Sequence, residues 1–255
     1  MNEWVLFQMC EPFRQSLIKE QQFYLDQARK RLLSQFDDIE IDADRASEEW
    51  LEQHGNPARP DPGDIYEAAY DAGIDFYQLL SDMRDKTRLS IVAGMYHEWD
   101  KQLRDWMIRE INLWHHSELM RNKIWAVNIR KLIDLLENIG WKVSSNEYYR
   151  KVDACRLVVN VYKHGDGSSL LDLNNRYPEY LTNPLDQLDC ENYFDCDCLN
   201  HSHLSVTDNQ LQEFSDAIVA FWKDVPENII DRDEISIPEW FLKTVNESKE
   251  KESTA

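Results

Sequence analysis

The sequence is poor in glycine, has few cysteines and contains no long apolar run. Seven glycines in 255 residues disfavour a β-sandwich with many glycine turns. The five cysteines are an odd number and three of them fall within nine residues, which favours a reducing compartment over a secreted disulfide framework. No stretch approaches the roughly 18 apolar residues that span a bilayer, and the first residues do not resemble a signal peptide. We therefore expect a cytoplasmic protein with no membrane segment.

Acidic and aromatic residues are abundant. Forty-eight acidic residues against 28 basic ones give a formal net charge of −20, which opposes non-specific binding to nucleic acids or anionic membranes. Hydrophobic residues make up 42% of the chain, a globular composition. Nine tryptophans favour long helices packed through aromatic side chains.

Apolar residues recur at intervals of three and four over most of the chain, which indicates amphipathic helices. The predicted helices span about 11–36, 86–114, 119–139 and 145–163, with shorter ones after Asp37, Asp64 and Ser168 and a last one after Thr207. Capping residues are predicted at Ser144 with Glu147 and at Thr207 with Gln210. Over 86–114 the predicted buried stripe is Leu89, Val92, Tyr96, Trp99, Leu103, Trp106 and Leu113. The fold is predicted to be all-α, an antiparallel long-helix bundle with a small irregular C-terminal part.

Composition divides the chain into four predicted segments. Prolines between Gly55 and Gly63 indicate a linker, so residues 1–54 form a separate N-terminal helical segment. A helical bundle follows over 64–182, and 183–244 is an irregular Cys- and His-rich stretch that ends in a helix. Residues 245–255 are expected to be a disordered polar tail.

The basic residues are concentrated in one part of this acidic chain. Residues 119–164 contain nine basic and four acidic residues, a net charge of +5, so the remainder carries −25. On the helix predicted over 145–163, Arg156, Asn160 and His164 stack along one stripe between two apolar faces. An arginine on so apolar a helix needs a carboxylate or a phosphate as partner. Two interpretations follow: a structural ion pair with a histidine capping the helix end, or an anion-binding site.

The stretch Arg156-Leu157-Val158-Val159-Asn160-Val161-Tyr162-Lys163-His164, placed after a long antiparallel helix pair, resembles the HEPN superfamily. The motif of that family is an arginine, usually followed by a polar residue, then four to six residues and a histidine. Here seven residues intervene and Leu157 follows the arginine. The resemblance covers about residues 86–180. It implies an all-α domain, a metal-independent RNase in a toxin–antitoxin or antiviral defence setting, and a homodimer with a composite site.

The resemblance also implies roles for individual residues. Arg156 would polarise the scissile phosphate, His164 would act as general acid or base for attack by the 2′-hydroxyl, and Asn160 would position them. An acidic residue on the preceding helix often supports this pair; Asp100 fits that role better than Glu98, which projects from the opposite side. The alternative is that Asp100 belongs to an ordinary salt-bridged surface with its neighbours His97 and Arg104.

Further basic residues of the same segment are candidate phosphate ligands. They are Lys163, Arg150 and Lys151. If the resemblance holds, these side chains would bind the RNA backbone next to the cleavage site.

A second cluster combines thiols and imidazoles. Its members lie within fourteen residues: Cys190, Cys196, Cys198, His201 and His203. These are zinc ligands by type, but the spacing lacks paired C-x2-C knuckles, so free thiols are favoured and no cofactor is expected, with zinc as the alternative. His115 and His116, at the end of a long helix, are expected to form a solvated turn.

Three functions fit these patterns. The leading hypothesis is a HEPN-like endoribonuclease that acts on RNA. The second is a non-enzymatic acidic module that binds a basic protein or imitates nucleic acid, and the third is an adaptor with a zinc-stapled loop. The sequence has no glycine-rich phosphate loop, nucleophile elbow or HExxH motif, which excludes the common enzyme classes that use them.

Overall fold

The computed structural model describes residues 4–54, 63–182, 199–230 and 236–253. Over these residues the protein is all-α, as predicted, with one small sheet. The sheet pairs β1 (Val5–Gln8) with the antiparallel strand β2 (Asn228–Ile230). The helices are α1 (Glu11–Arg31), α2 (Ile39–His54), α3 (Gly63–Asn112), α4 (Glu118–Ala126), α5 (Ile129–Asn138), α6 (Glu147–His164), α7 (Ser168–Arg176), α8 (Asp208–Asp224) and α9 (Glu239–Ser253).

The C-terminal half of α3 is the centre of the core, where α1, α6 and α8 pack around it. From Leu89 onward its inward-facing residues are buried, including six of the seven members of the predicted stripe. The seventh, Leu113, is exposed because it lies just beyond the end of the helix. Burial of these large apolar side chains is the main source of stability, since each contributes about 1.5–3 kcal/mol on leaving water.

α1 and α6 run antiparallel to α3, whereas α8 runs parallel to it, with Asp208 bonded to Arg88 and Phe221 packed on Trp99 further along both helices. On α1, Glu20 bonds to Gln102 of α3 at 3.1 Å, whereas Tyr24, one turn later on α1, lies over Gly94, two turns earlier on α3. On the α6 side, the hydroxyl groups of Ser90 and Tyr162 are 2.8 Å apart.

Two buried arginines stabilise helix ends. Arg104 of α3 donates to the last carbonyl groups of α4, those of Ile124, Trp125 and Val127. Arg14 of α1 does the same at the end of α8, where it bonds to Trp222, Lys223 and Val225. Terminal carbonyls have no partner within their own helix, so each arginine satisfies several acceptors at once.

Two boundaries between α4 and α6 differ from the prediction. The helix expected over 119–139 is two helices, because the side chain of Asn128 caps a new start by accepting from the Lys131 amide at 3.0 Å. Ser144 does not cap α6; its amide donates to the carboxylate of Glu137 at 2.6 Å, and Asn146 occupies the N-cap position. The capping box of Thr207 with Gln210 is confirmed.

The prediction of a disordered tail over 245–255 is wrong for residues 245–253, which belong to α9. This helix packs against the rest of the protein because its polar side chains find hydrogen-bond partners there. Ser248 is buried and its hydroxyl lies 2.7 Å from Nε2 of His115. His115 is therefore buried and not solvated as expected, while His116 is exposed. Among the described helices, none is long and apolar enough to cross a membrane.

Candidate functional site

The structure brings several predicted site residues to one face of α3 and α6. Tyr96 of α3 is buried between the two helices, and burial together with the nearby carboxylate of Asp100 raises its pKa. The charge of Arg156 also acts on the Tyr96 hydroxyl. Further along, burial and the ammonium group of Lys163 lower the pKa of His97. Tyr96 therefore lies within electrostatic range of both Asp100 and Arg156.

Arg156 is held by a carboxylate from its own helix. Its Nε and Nη2 atoms lie 2.9 and 2.7 Å from Oδ1 of Asp153, three residues earlier. The other oxygen of Asp153 accepts from Arg176 at 2.6 Å and from the Tyr177 hydroxyl at 3.1 Å. Burial alone would raise the pKa of Asp153, but the two guanidinium groups outweigh it and hold that pKa below its usual value. The arrangement is a structural ion-pair cluster.

His164 lies apart from that cluster. It is exposed in the last turn of α6, eight residues or about 12 Å along the axis from Arg156. Asn160 is half-buried between them, and Lys163 is exposed beside the histidine. A phosphate bound by Arg156 would lie beside the negative charge of Asp153, and it would still be two turns from the imidazole.

Asp100 also has a structural partner. Its two oxygens accept from Nε and Nη2 of Arg104 at 2.9 and 3.0 Å. This is the i,i+4 salt bridge of the alternative interpretation, but it is not an ordinary surface pair: Asp100 is half-buried, and Arg104 is buried because it reaches inward to the end of α4.

Two of the predicted phosphate ligands on α6, Lys151 and Arg150, lie near acidic residues from elsewhere in the fold. Lys151 lies 2.6 Å from Glu213 of α8; burial alone would lower its pKa, and the Glu213 carboxylate raises it. Arg150 is exposed and stands 4.0 Å from Glu179. The net charge of +5 over residues 119–164 is thus partly neutralised by acidic residues that lie outside that segment.

The cysteines of the predicted metal cluster lie outside the described residues. They are Cys190, Cys196 and Cys198. The two histidines are described: Nδ1 of His201 lies 3.0 Å from Asp166, and Nδ1 of His203 accepts from the Asn200 amide at 3.1 Å. Within the described ranges, no three potential ligands are placed to hold a metal ion.

The most unusual surface is a helical arm that the prediction missed. We define the arm as α2 together with residues 63–80 of α3, against which α2 packs. Over those residues of α3, only Ile65, Ala69 and Gly73 are fully buried, in contrast to the dense burial beyond Leu89. The helices approach closely at Gly73, where an added Cβ would stand 3.1 Å from the Ala43 carbonyl oxygen. The arm therefore exposes most of its surface.

An apolar stripe runs along α3 in the arm. Tyr66, Tyr70 and Ile74 are spaced by four residues and lie on one helix face, with 63, 67 and 48% of their surface exposed. Each is followed by an acidic residue, namely Glu67, Asp71 and Asp75. The stripe therefore has a row of carboxylates along one edge.

The arm as a whole is strongly acidic. Residues 39–54 and 63–80 contain ten acidic residues and one basic residue, Arg45, so their net charge is −9. Further exposed apolar side chains on the arm are Ile41, Phe76 and Leu79. High charge and exposed aromatic rings on the same element are features of a binding surface.

Part of this surface was visible in the sequence. The apolar–acidic pairs at 66/67, 70/71 and 74/75 repeat every four residues, which is the spacing of a helix face. The prolines before Gly63 and the separate helix predicted over 86–114 concealed that α3 is one continuous helix.

No protein-family model, curated protein or solved structure matches this chain.

Proposed function

We propose that this protein is a non-enzymatic interaction module that binds a basic protein partner through the arm. The observation that carries the proposal is the exposed stripe of Tyr66, Tyr70 and Ile74, edged by carboxylates on an arm of net charge −9. An amphipathic helix with an apolar face and a row of lysines or arginines would match both features.

The charge of the arm decides between possible occupants. A second copy of the chain would bring another −9 against this surface, and nucleic acid would bring phosphates, so both are repelled. A basic partner gains from attraction during its approach and from pairing with Glu67, Asp71 and Asp75 once bound.

The apolar stripe supplies the affinity that charge alone cannot. Exposed ion pairs contribute only about 0–1 kcal/mol each, whereas aromatic side chains dominate binding energy at protein interfaces. Tyr66 and Tyr70 are spaced to contact successive turns of one partner helix.

The test uses a helical peptide of about 20 residues, with leucines on one face and lysines on the other. Titration calorimetry should detect binding that weakens between about 50 and about 300 mM salt. A peptide of the same composition in shuffled order, with no apolar face, should bind at least about tenfold more weakly.

Matched variants locate the binding site. Tyr66→Ser with Tyr70→Ser should weaken binding at the arm about tenfold or more, while Leu113→Ser with Leu171→Ser, which changes exposed residues elsewhere, should leave it unaltered. Replacing Glu67, Asp71 and Asp75 by the corresponding amides should reduce the salt dependence of peptide binding. The same replacement at the exposed Asp105, Glu147 and Glu227 should not. Equal binding by the arm variants and their controls would disprove the proposal.

A HEPN-like endoribonuclease is the second candidate, favoured by the proximity of Asp100 and Arg156 to Tyr96 on the antiparallel helices α3 and α6. The Asp153 carboxylate paired with Arg156 opposes the binding of a phosphate there, so the geometry supports this function less well. Incubation of wild type and His164→Ala with total RNA, without added metal, tests it. Degradation by wild type alone would support the nuclease, and degradation by neither would remove it.

A further inference from the structure

A second apolar surface lies away from the arm, in a groove of about 450 Å³ between α1 and α3. Its walls are mostly apolar surface from Phe23, Tyr24, Ala28, Leu32 and Met95. Phe23 and Leu32 are exposed at its rim. Ala28 and Met95 belong to the core, whereas Phe23 and Leu32 do not, and the groove above them is wide enough to accept side chains from outside.

The groove is shaped by close packing at its floor. Gly94 of α3 has no side chain, and the hydroxyl end of the Tyr24 ring occupies the space a Cβ would take. The phenol consequently lies against α3 at Gly94 and lines the groove. A glycine inside a helix costs about 1 kcal/mol relative to alanine, and here it permits a continuous apolar surface.

The groove has opposite charges at its two ends. Glu20 and Glu98 lie at one end, where Glu20 also bonds to Gln102. Arg31 lies at the other, eleven residues or about 16 Å further along α1. The two walls are helices, so the space between them matches the apolar face of a third helix of about three turns.

We infer that this groove is a second docking site, which takes a short amphipathic helix with a basic residue in its first turn. The positive end of the helix dipole would lie by Glu20 and Glu98 and the negative end by Arg31, so the helix would run parallel to α1. The net charge of −20 attracts such a cationic segment and repels a second copy of this chain. The inference relies on the proposed function for the basic character of the partner.

Stoichiometry separates this site from the arm. The leucine–lysine peptide should bind wild type at two sites per chain by titration calorimetry. Phe23→Ser with Leu32→Ser should remove one site, Tyr66→Ser with Tyr70→Ser should remove the other, and the combined variant should remove both. All of these residues are exposed, so the fold should survive; unchanged melting temperatures, and two sites in the Leu113→Ser with Leu171→Ser control, check this.

Each outcome bears on one site. If the Phe23 and Leu32 variant keeps every site that wild type has, the groove inference is overturned and the arm proposal stands. If only that variant loses a site, the groove inference stands and the arm proposal falls. Sedimentation that reveals a dimer abolished by the same variant would assign the groove to a second copy and overturn the inferred partner.

Discussion

Asp153 on α6 binds Arg176 at the end of α7 at 2.6 Å, because α7 folds back along α6 after the turn that joins them. The same carboxylate holds Arg156, so one buried acid neutralises much of the charge of two guanidinium groups. Removing the acid would leave Arg156, with only 12% of its side chain exposed, without its charge partner. Breaking a buried pair from one side costs more than the pair contributes, because the remaining charge stays desolvated.

We therefore expect Asp153→Asn to lower the free energy of unfolding by about 3 kcal/mol. Urea denaturation followed by circular dichroism measures the change. Asp172→Asn, at an acid with half of its side chain exposed and 3.8 Å from Arg130, is the control and should cost no more than about 0.5 kcal/mol. A loss for Asp153→Asn as small as that of the control would mean that Arg156 finds water or another partner.

The same carboxylate should make stability depend on acid pH. The pKa of Asp153 is lower in the folded protein than its ordinary value. A depressed pKa gives stability that is present above the unfolded-state value, about 3.9, and is lost as pH falls through the folded-state value. The difference in unfolding free energy between wild type and Asp153→Asn should thus shrink from about pH 6 to about pH 3. A constant difference would contradict this assignment.

Arg104→Met should be one of the most destabilising single substitutions at a charged residue. It removes the donors to the carbonyl groups at the end of α4 and leaves Asp100 without its partner. We expect the free energy of unfolding to fall by about 3 kcal/mol. Amide hydrogen exchange should accelerate more in α4 than in α8. Lys101→Met, at the neighbouring exposed residue, should change stability by less than about 0.5 kcal/mol.

Gly73→Leu should separate the two helices of the arm. A side chain there meets the Ala43 carbonyl oxygen and the Ser47 side chain, each 3.1 Å from the first added carbon. Hydrogen exchange should accelerate in α2 and leave the buried half of α3 protected, because α2 packs against the arm portion of α3. Gln78→Leu introduces the same side chain at an exposed position of the arm and should leave exchange in α2 unchanged.

The sequence predicted the helical fold because periodic burial of apolar residues is a local signal. The stripe through Val92, Trp99 and Leu103 was read correctly for that reason. The pairing of β1 with β2 was not predictable in the same way, since Val5 and Ile230 are far apart in sequence and each strand has only three or four residues. Their pairing depends on how the helices between them pack.

The candidate site was predicted only in part. Periodicity placed Arg156, Asn160 and His164 on one stripe, and the need of a buried arginine for a partner was foreseen. That the partner would be Asp153, three residues away, and that Arg176 would share it depended on how α7 folds back on α6. Charge counted along the sequence was also misleading, because Glu213 reaches Lys151 from α8.

Because α3 is one continuous helix, a small tilt of its buried half moves the arm by a larger distance. The helix is 50 residues long, about 75 Å, and its far half is fixed in the core around Trp99. A tilt of about 10° at Leu89 would displace the tip of the arm by about 7 Å. The direction in which the tyrosines point is consequently set by side chains more than six turns away, and a fluorescent label near Tyr66 would report repacking deep inside the protein.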